Sequence, residues 1–97
     1  MTAEKKLTLF YFPRACSLAA HIALEESGLK YERRMVDLRT HKNRDPEYLA
    51  TNPNGAVPAL SIGEATLTET HAILTYIGDH ASSKNLLPPL GDLERYR

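Results

Sequence analysis

The chain has no tryptophan and a single cysteine, Cys16, in 97 residues. One thiol cannot close an internal disulfide, so no disulfide framework holds this fold. A reducing compartment, with the cytoplasm as default, is the expectation. Neither sign of charge is in excess: 12 Lys and Arg balance 12 Asp and Glu, which removes any global electrostatic case for nucleic acid or an anionic membrane surface. No apolar run approaches the roughly 20 residues a spanning helix needs, and the opening MTAEKK is not followed by an apolar stretch long enough for a secretory signal. C-x-x-C, H-E-x-x-H, cysteine-rich and glycine-rich phosphate patterns are missing too, so no dithiol cycle, metal site or phosphate cradle is expected. What is left, 42% hydrophobic and 25% charged, is the composition of one ordinary globular domain with a single modest core.

The most informative stretch that is present is Leu7 to Gly28. Leu7-Thr8-Leu9-Phe10-Tyr11-Phe12 is rich in strand formers and is closed by Pro13, which cannot donate to a strand ladder. Ser17 then reads as an N-cap, followed at once by the apolar-rich run Leu18 to Leu24. Cys16 therefore stands where a strand ends and a helix begins, close to unpaired backbone N–H groups and the positive end of the helix dipole. Such a place favours an anion, and a thiolate is the anion a cysteine becomes.

Gly28 stops that helix, and Tyr31 to Asp37 reads as a second strand, an edge strand by its adjacent Arg33 and Arg34. Leu38 to Asp45 is a polar, basic loop, and Pro46 to Ala50 holds one helical turn with proline at its start. Thr51 to Val57 is dense in turn formers. Pro58 opens a short strand, Ala59 to Ile62, and Gly63-Glu64 turns tightly into Ala65 to Thr68. Ala72, Ile73, Tyr76, Ile77 and His80 recur at helical spacing between Glu69 and Ala81, with Gly78 a mild weakness. Ala81 to Gly91 looks like a linker stiffened by Pro88-Pro89, and Asp92 to Arg97 like the first turn of another helix. This order predicts an α/β sandwich with a mixed four-stranded sheet and helices on both faces.

Four segments carry a family resemblance: FPRACSLAAHIAL after the first strand, NPNGAVPAL around Pro58, LTETHAILTYI over the last strand and helix, and the closing LERYR. Together they resemble the N-terminal, thioredoxin-like domain of a cytosolic glutathione S-transferase, most closely the bacterial beta class. The resemblance implies a βαβ-(α)-ββα thioredoxin-like domain over residues 1–81, with residues 82–97 as linker and truncated start of an absent helical second domain. It implies that Cys16 occupies the glutathione sulfur site with Ser17 beside it, although Ser17 read alone is simply a cap. It implies a cis Val57-Pro58 bond, with the Val57 backbone pairing antiparallel to the cysteinyl portion of glutathione. Glu69 would pair with the γ-glutamyl ammonium, and Thr70 with the helix-terminal N–H groups would take its carboxylate; read alone, the two are a helix start in which Thr70 caps. In the beta class a lysine of the basic loop meets the glycine carboxylate, which points here to His41 or to the adjacent Lys42. Asn54 and Ala56 would lie near the site. His71 reads as solvated or structural, and His21 as exposed or capping.

Function follows from these expectations. A full transferase stabilises the glutathione thiolate and presents it to an electrophilic small molecule held in a pocket built largely by the second domain. This chain is expected to bind glutathione as co-substrate, to have little or no conjugating activity alone, and to expose an apolar face that favours a homo-oligomer. Two alternatives stand beside it: a glutaredoxin-like monothiol protein working through a Cys16–glutathione mixed disulfide, and a non-catalytic folding or assembly module.

Overall fold

Alternation along the first strand, β1 (Leu7–Tyr11), divides the molecule into two cores. Leu7 and Leu9 point to one face, where they meet Ala20, Leu24, Leu60, Ile62, Ile73 and Ile77. Phe10 points to the other and packs with Val36, Tyr48, Val57 and Ala59. The structure, a computed structural model, describes residues 6–13, 15–81, 86 and 91–96. Around β1 the chain builds helix α1 (Leu18–Ser27), strand β2 (Glu32–Met35), helix α2 (Pro46–Thr51), strands β3 (Ala59–Ile62) and β4 (Ala65–Leu67), and helix α3 (Thr70–His80).

The sheet is four-stranded and mixed, in the order β2-β1-β3-β4. β1 runs parallel to β2, with Leu9 opposite Arg33, as the α1 crossover requires. It runs antiparallel to β3, with Leu9 opposite Leu60, and β3 antiparallel to β4, with Leu60 opposite Leu67. Helices α1 and α3 cover one face and α2 the other, as the order of elements predicts. Leu9, Leu24, Leu60, Ile73 and Ile77 are wholly buried between the sheet and α1/α3, each contributing about 1.5–3 kcal/mol by leaving water.

Local signals set most boundaries. Gly28 ends α1 in the left-handed region at φ 74°. Gly63, at φ 60°, makes the tight β3–β4 turn that a glycine in first place permits. Pro46 opens α2.

Other boundaries differ from the sequence reading. β2 is shorter than Tyr31 to Asp37; just past it Val36 is buried in the α2-side core, and its N–H donates to the Tyr11 carbonyl at 2.8 Å. It is an edge strand, with all four side chains exposed. The basic loop is not irregular: it holds two 3-10 turns, Leu38–Thr40 and Lys42–Arg44. Thr70 is not a cap. It is the first helical residue of α3, because Glu69 keeps an extended backbone (φ −97°, ψ 131°) and takes the N-cap position without a side-chain cap bond. A 3-10 turn, Leu93–Tyr96, stands where a helical first turn was expected. The Pro88-Pro89 step lies outside the described residues.

Candidate functional site

Strand register gathers the expected residues at one end of the sheet. Tyr11, the last residue of β1, lies opposite Met35, the last of β2. Phe10 faces Ala59, the first residue of β3, and Leu67 at the close of β4 faces Leu60. So β1, β2 and β4 finish, and β3 begins, at the same edge. From those strand ends emerge the Cys16 turn, the loop bearing His41 and Lys42, the Val57-Pro58 step, and Glu69-Thr70. With strands about 4.8 Å apart, the groups form a row across the sheet. Its order is the basic loop, Cys16, Val57, then the start of α3.

Cys16 is exposed and sits in a tight turn in which the Ala15 N–H donates to Phe12 O at 3.1 Å and the Leu18 N–H to Ala15 O at 3.0 Å. Ser17 differs from its sequence reading. It occupies the N-cap position but makes no side-chain cap bond. Its backbone there is already helical (φ −67°, ψ −11°), which turns the hydroxyl away from the helix amides. Instead the hydroxyl accepts from the Phe12 N–H and donates to the Phe12 carbonyl, each at 3.0 Å. Only 1% of Ser17 is exposed. It pins the turn to the end of β1, and that pin holds Cys16 in place.

The Val57-Pro58 bond is cis. Among the described residues, no hydrogen bond to the Val57 N–H or C=O is found. The segment leading to it is fastened by side chains that the sequence reading passed over. Tyr48 and Asn52 both donate to the Ala56 carbonyl, Asn52 at 2.9 Å, and Asn43 donates to the Gly55 carbonyl at 2.9 Å. Asn52 also accepts from the Asn54 N–H at 3.1 Å. That last bond was legible, since asparagine commonly folds back on the backbone two residues on. The grip on Ala56 was not, because it joins a helix to a loop through groups that no local pattern pairs.

At the far end of the row Glu69 is exposed and Thr70 half-buried. The first bond of α3 runs from the Ile73 N–H to Glu69 O at 2.9 Å, leaving the amides of Thr70, His71 and Ala72 without helical acceptors. At the near end His41 is exposed with a left-handed backbone (φ 62°), and Lys42 forms a surface pair with Asp45 at 3.6 Å. Beside them Asp37 accepts from the Arg39 N–H at 2.9 Å and from its guanidinium at 3.4 Å. Burial acts to raise the Asp37 pKa, but these hydrogen bonds and the Arg39 charge prevail and hold the carboxyl below its ordinary value.

His21 neither caps nor lies free. It is half-buried between Tyr11 and Tyr31, with ring centroids 5.4 and 6.3 Å away, and Arg33 approaches its Nε2 at 3.4 Å. Tyr31 in turn bonds Glu25, and burial together with that carboxylate pushes its pKa up to about 12. His71 is exposed, and its carbonyl accepts from the Thr75 hydroxyl at 2.9 Å. Among the described residues no three His, Cys, Asp or Glu gather as a metal set, and no helix is long and apolar enough to cross a membrane.

Known proteins share this sequence pattern and this fold. Residues 5–79 match the family described as glutathione S-transferase, N-terminal domain. The glutathione S-transferase GstA of Escherichia coli is 43% identical over 93 residues, covering 94% of this chain and 46% of its own length. A glutathione transferase homologue from Sulfitobacter, solved with bound glutathione, superposes with a TM-score of 0.84 at 42% identity, covering 91% of this chain and 42% of that one. A beta-class glutathione S-transferase from Sphingomonas chungbukensis gives 0.81 at 48% identity, over 93% of this chain and 46% of that one. The fold is thus the thioredoxin-like fold of these enzymes, and the chain spans less than half the length of these relatives. With residues 5–79 covered by its family model, the chain belongs to the glutathione S-transferase N-terminal domain family.

Proposed function

We propose that this chain is a glutathione-binding domain and that the tripeptide lies across the strand ends. Its sulfur is next to Cys16, its cysteinyl main chain pairs with Val57, and its γ-glutamyl group sits on Glu69, Thr70 and the leading amides of α3. The glycine carboxylate meets the basic loop at His41 or Lys42. The observation that carries the reading is the Val57 main chain, whose donor and acceptor find no partner among the described residues and stand in the middle of that row. An extended tripeptide spans about 10 Å, and three strand spacings about 14 Å, a difference the side chains at either end can bridge. Recognition through main-chain pairing also explains why valine serves at position 57, since such pairing ignores the side chain. Glu69 and the free amides complement an amino acid end, with its ammonium and its carboxylate.

In the parent enzyme the bound thiolate attacks an electrophilic small molecule. Holding two reactants together is a large share of such catalysis, and we assign the electrophile's pocket to a helical domain of which residues 82–97 are the linker and the start. The domain boundary near residue 81, a cytoplasmic location matched to the lone exposed cysteine, and self-association of this chain belong to the same proposal.

Calorimetric titration with glutathione tests it. The chain binds one equivalent, Cys16→Ala binds more weakly, and neither turns over an aryl halide substrate appreciably. Absence of heat in the unaltered chain refutes glutathione binding, and clear turnover refutes the division of labour.

A further inference from the structure

We propose that Tyr48, on α2, is a positioning residue that aims the Val57 N–H at the bound tripeptide, acting through the Ala56 carbonyl; this rests on the glutathione reading above. The geometry is that of a single peptide unit. The carbonyl of Ala56 and the N–H of Val57 belong to the same planar trans peptide, so they point in opposite directions. Whatever grips the oxygen from inside the protein turns the N–H outward. Two buried donors do so: the Tyr48 hydroxyl and the Asn52 amide, the latter at 2.9 Å. Tyr48 is 6% exposed and Asn52 1%.

The grip is itself held firm. The Tyr48 ring packs on Phe10 of β1 at a centroid distance of 5.5 Å, in a tilted arrangement, so the hydroxyl is referenced to the central strand rather than to the loop. Asn52 is tied to the same helix through its N–H, which donates to Tyr48 O at 2.8 Å. One residue upstream, Asn43 holds the Gly55 carbonyl at 2.9 Å, so successive carbonyls are fixed before the chain reaches Val57. Burial raises the Tyr48 pKa, with the Asn52 hydrogen bond opposing it, so the hydroxyl keeps its proton and donates at any physiological pH. A loop with one of these grips removed samples other peptide orientations, and the Val57 donor is out of line for part of the time.

The test compares the unaltered chain, Tyr48→Phe and Tyr31→Phe, each titrated with glutathione and followed by proton–nitrogen correlation spectra. Tyr48→Phe keeps the ring on Phe10 and deletes only the hydroxyl. It binds glutathione about threefold to tenfold more weakly, the worth of one hydrogen bond, and its Val57 amide resonance shifts in the free protein. Tyr31→Phe, altered on the α1 side of the sheet, binds as the unaltered chain does and leaves Val57 in place. Unaltered binding by Tyr48→Phe, or a Val57 resonance that does not move, overturns the positioning role while leaving the glutathione reading intact. An unaltered chain whose spectrum ignores glutathione overturns both.

Discussion

Ser17 shows how much a single hydroxyl can be asked to do when it is buried. Its oxygen satisfies both the N–H and the carbonyl of Phe12, five residues back, and so closes the turn that carries Cys16. Removing it strands two backbone groups in a half-buried place, which costs about 1–3 kcal/mol because each was desolvated in expectation of a partner. Ser17→Ala is therefore expected to lower the urea midpoint with an unchanged denaturant slope, and to loosen the turn around Cys16. A midpoint equal to that of the unaltered chain contradicts this. The hydroxyl's two bonds also explain why Ser17 serves the site by placing its neighbour: its one proton is already donated to the Phe12 carbonyl.

At the scale of elements, the α2–β3 connection is built under constraint. Gly55 adopts φ 69°, and a Cβ there would meet the Asn43 carbonyl at 3.0 Å and a Leu49 methyl at 3.3 Å. A left-handed backbone costs an L-residue roughly 1–2 kcal/mol, and the contact with Asn43 adds to it because that residue also grips the Gly55 oxygen. Gly55→Ala is expected to destabilise the domain by at least that amount in thermal or urea unfolding and to weaken glutathione binding, since the displaced segment leads directly to Val57. Equal stability and affinity for the two proteins runs against this account. The edge strand β2 illustrates the opposite economy. Its exposed Arg33 and Arg34 leave the outer rim charged, which discourages pairing with another chain, while Arg33 lies over the Tyr11 ring at 5.9 Å and secures the strand to its neighbour.

On the scale of the whole molecule, the two faces of the sandwich end differently. The α2 side carries the smaller buried cluster of Val36, Tyr48, Val57 and Ala59. The α1/α3 side leaves a groove of about 470 Å³, lined by Ala19, Ile22, Ala23, Leu74, Ile77 and Leu86 among others, with Leu18 and Ile22 each 53% exposed nearby. Contiguous apolar surface of this kind drives association. The chain alone is expected to self-associate as its concentration rises in sedimentation velocity, and Ile22→Glu to shift it toward monomer by setting a charge in the apolar strip. A chain that stays monomeric throughout, or a variant that associates equally well, removes this groove as the cause.

The sequence by itself determined the order and type of the elements, because those depend on near neighbours. The strand formers of Leu7–Tyr11, the helical spacing of Ile73 and Ile77, and the glycines at 28 and 63 each act within a few residues. It determined, through family likeness, which positions to compare with a glutathione site. Tertiary structure alone decided what those positions share: strand register brought Cys16, Val57 and Glu69 to one end of one sheet, although 40 and more residues separate the first from the others. It also decided where the polar side chains went. Ser17 and Thr70 have the chemistry of caps, yet Ser17 turned back to Phe12 and Thr70 entered the helix, because backbone angles set by packing outweighed a local preference worth about 1 kcal/mol. Tyr48 and Asn52 reached the Ala56 carbonyl because the fold buried both donors beside it, where an unpaired polar group is costly.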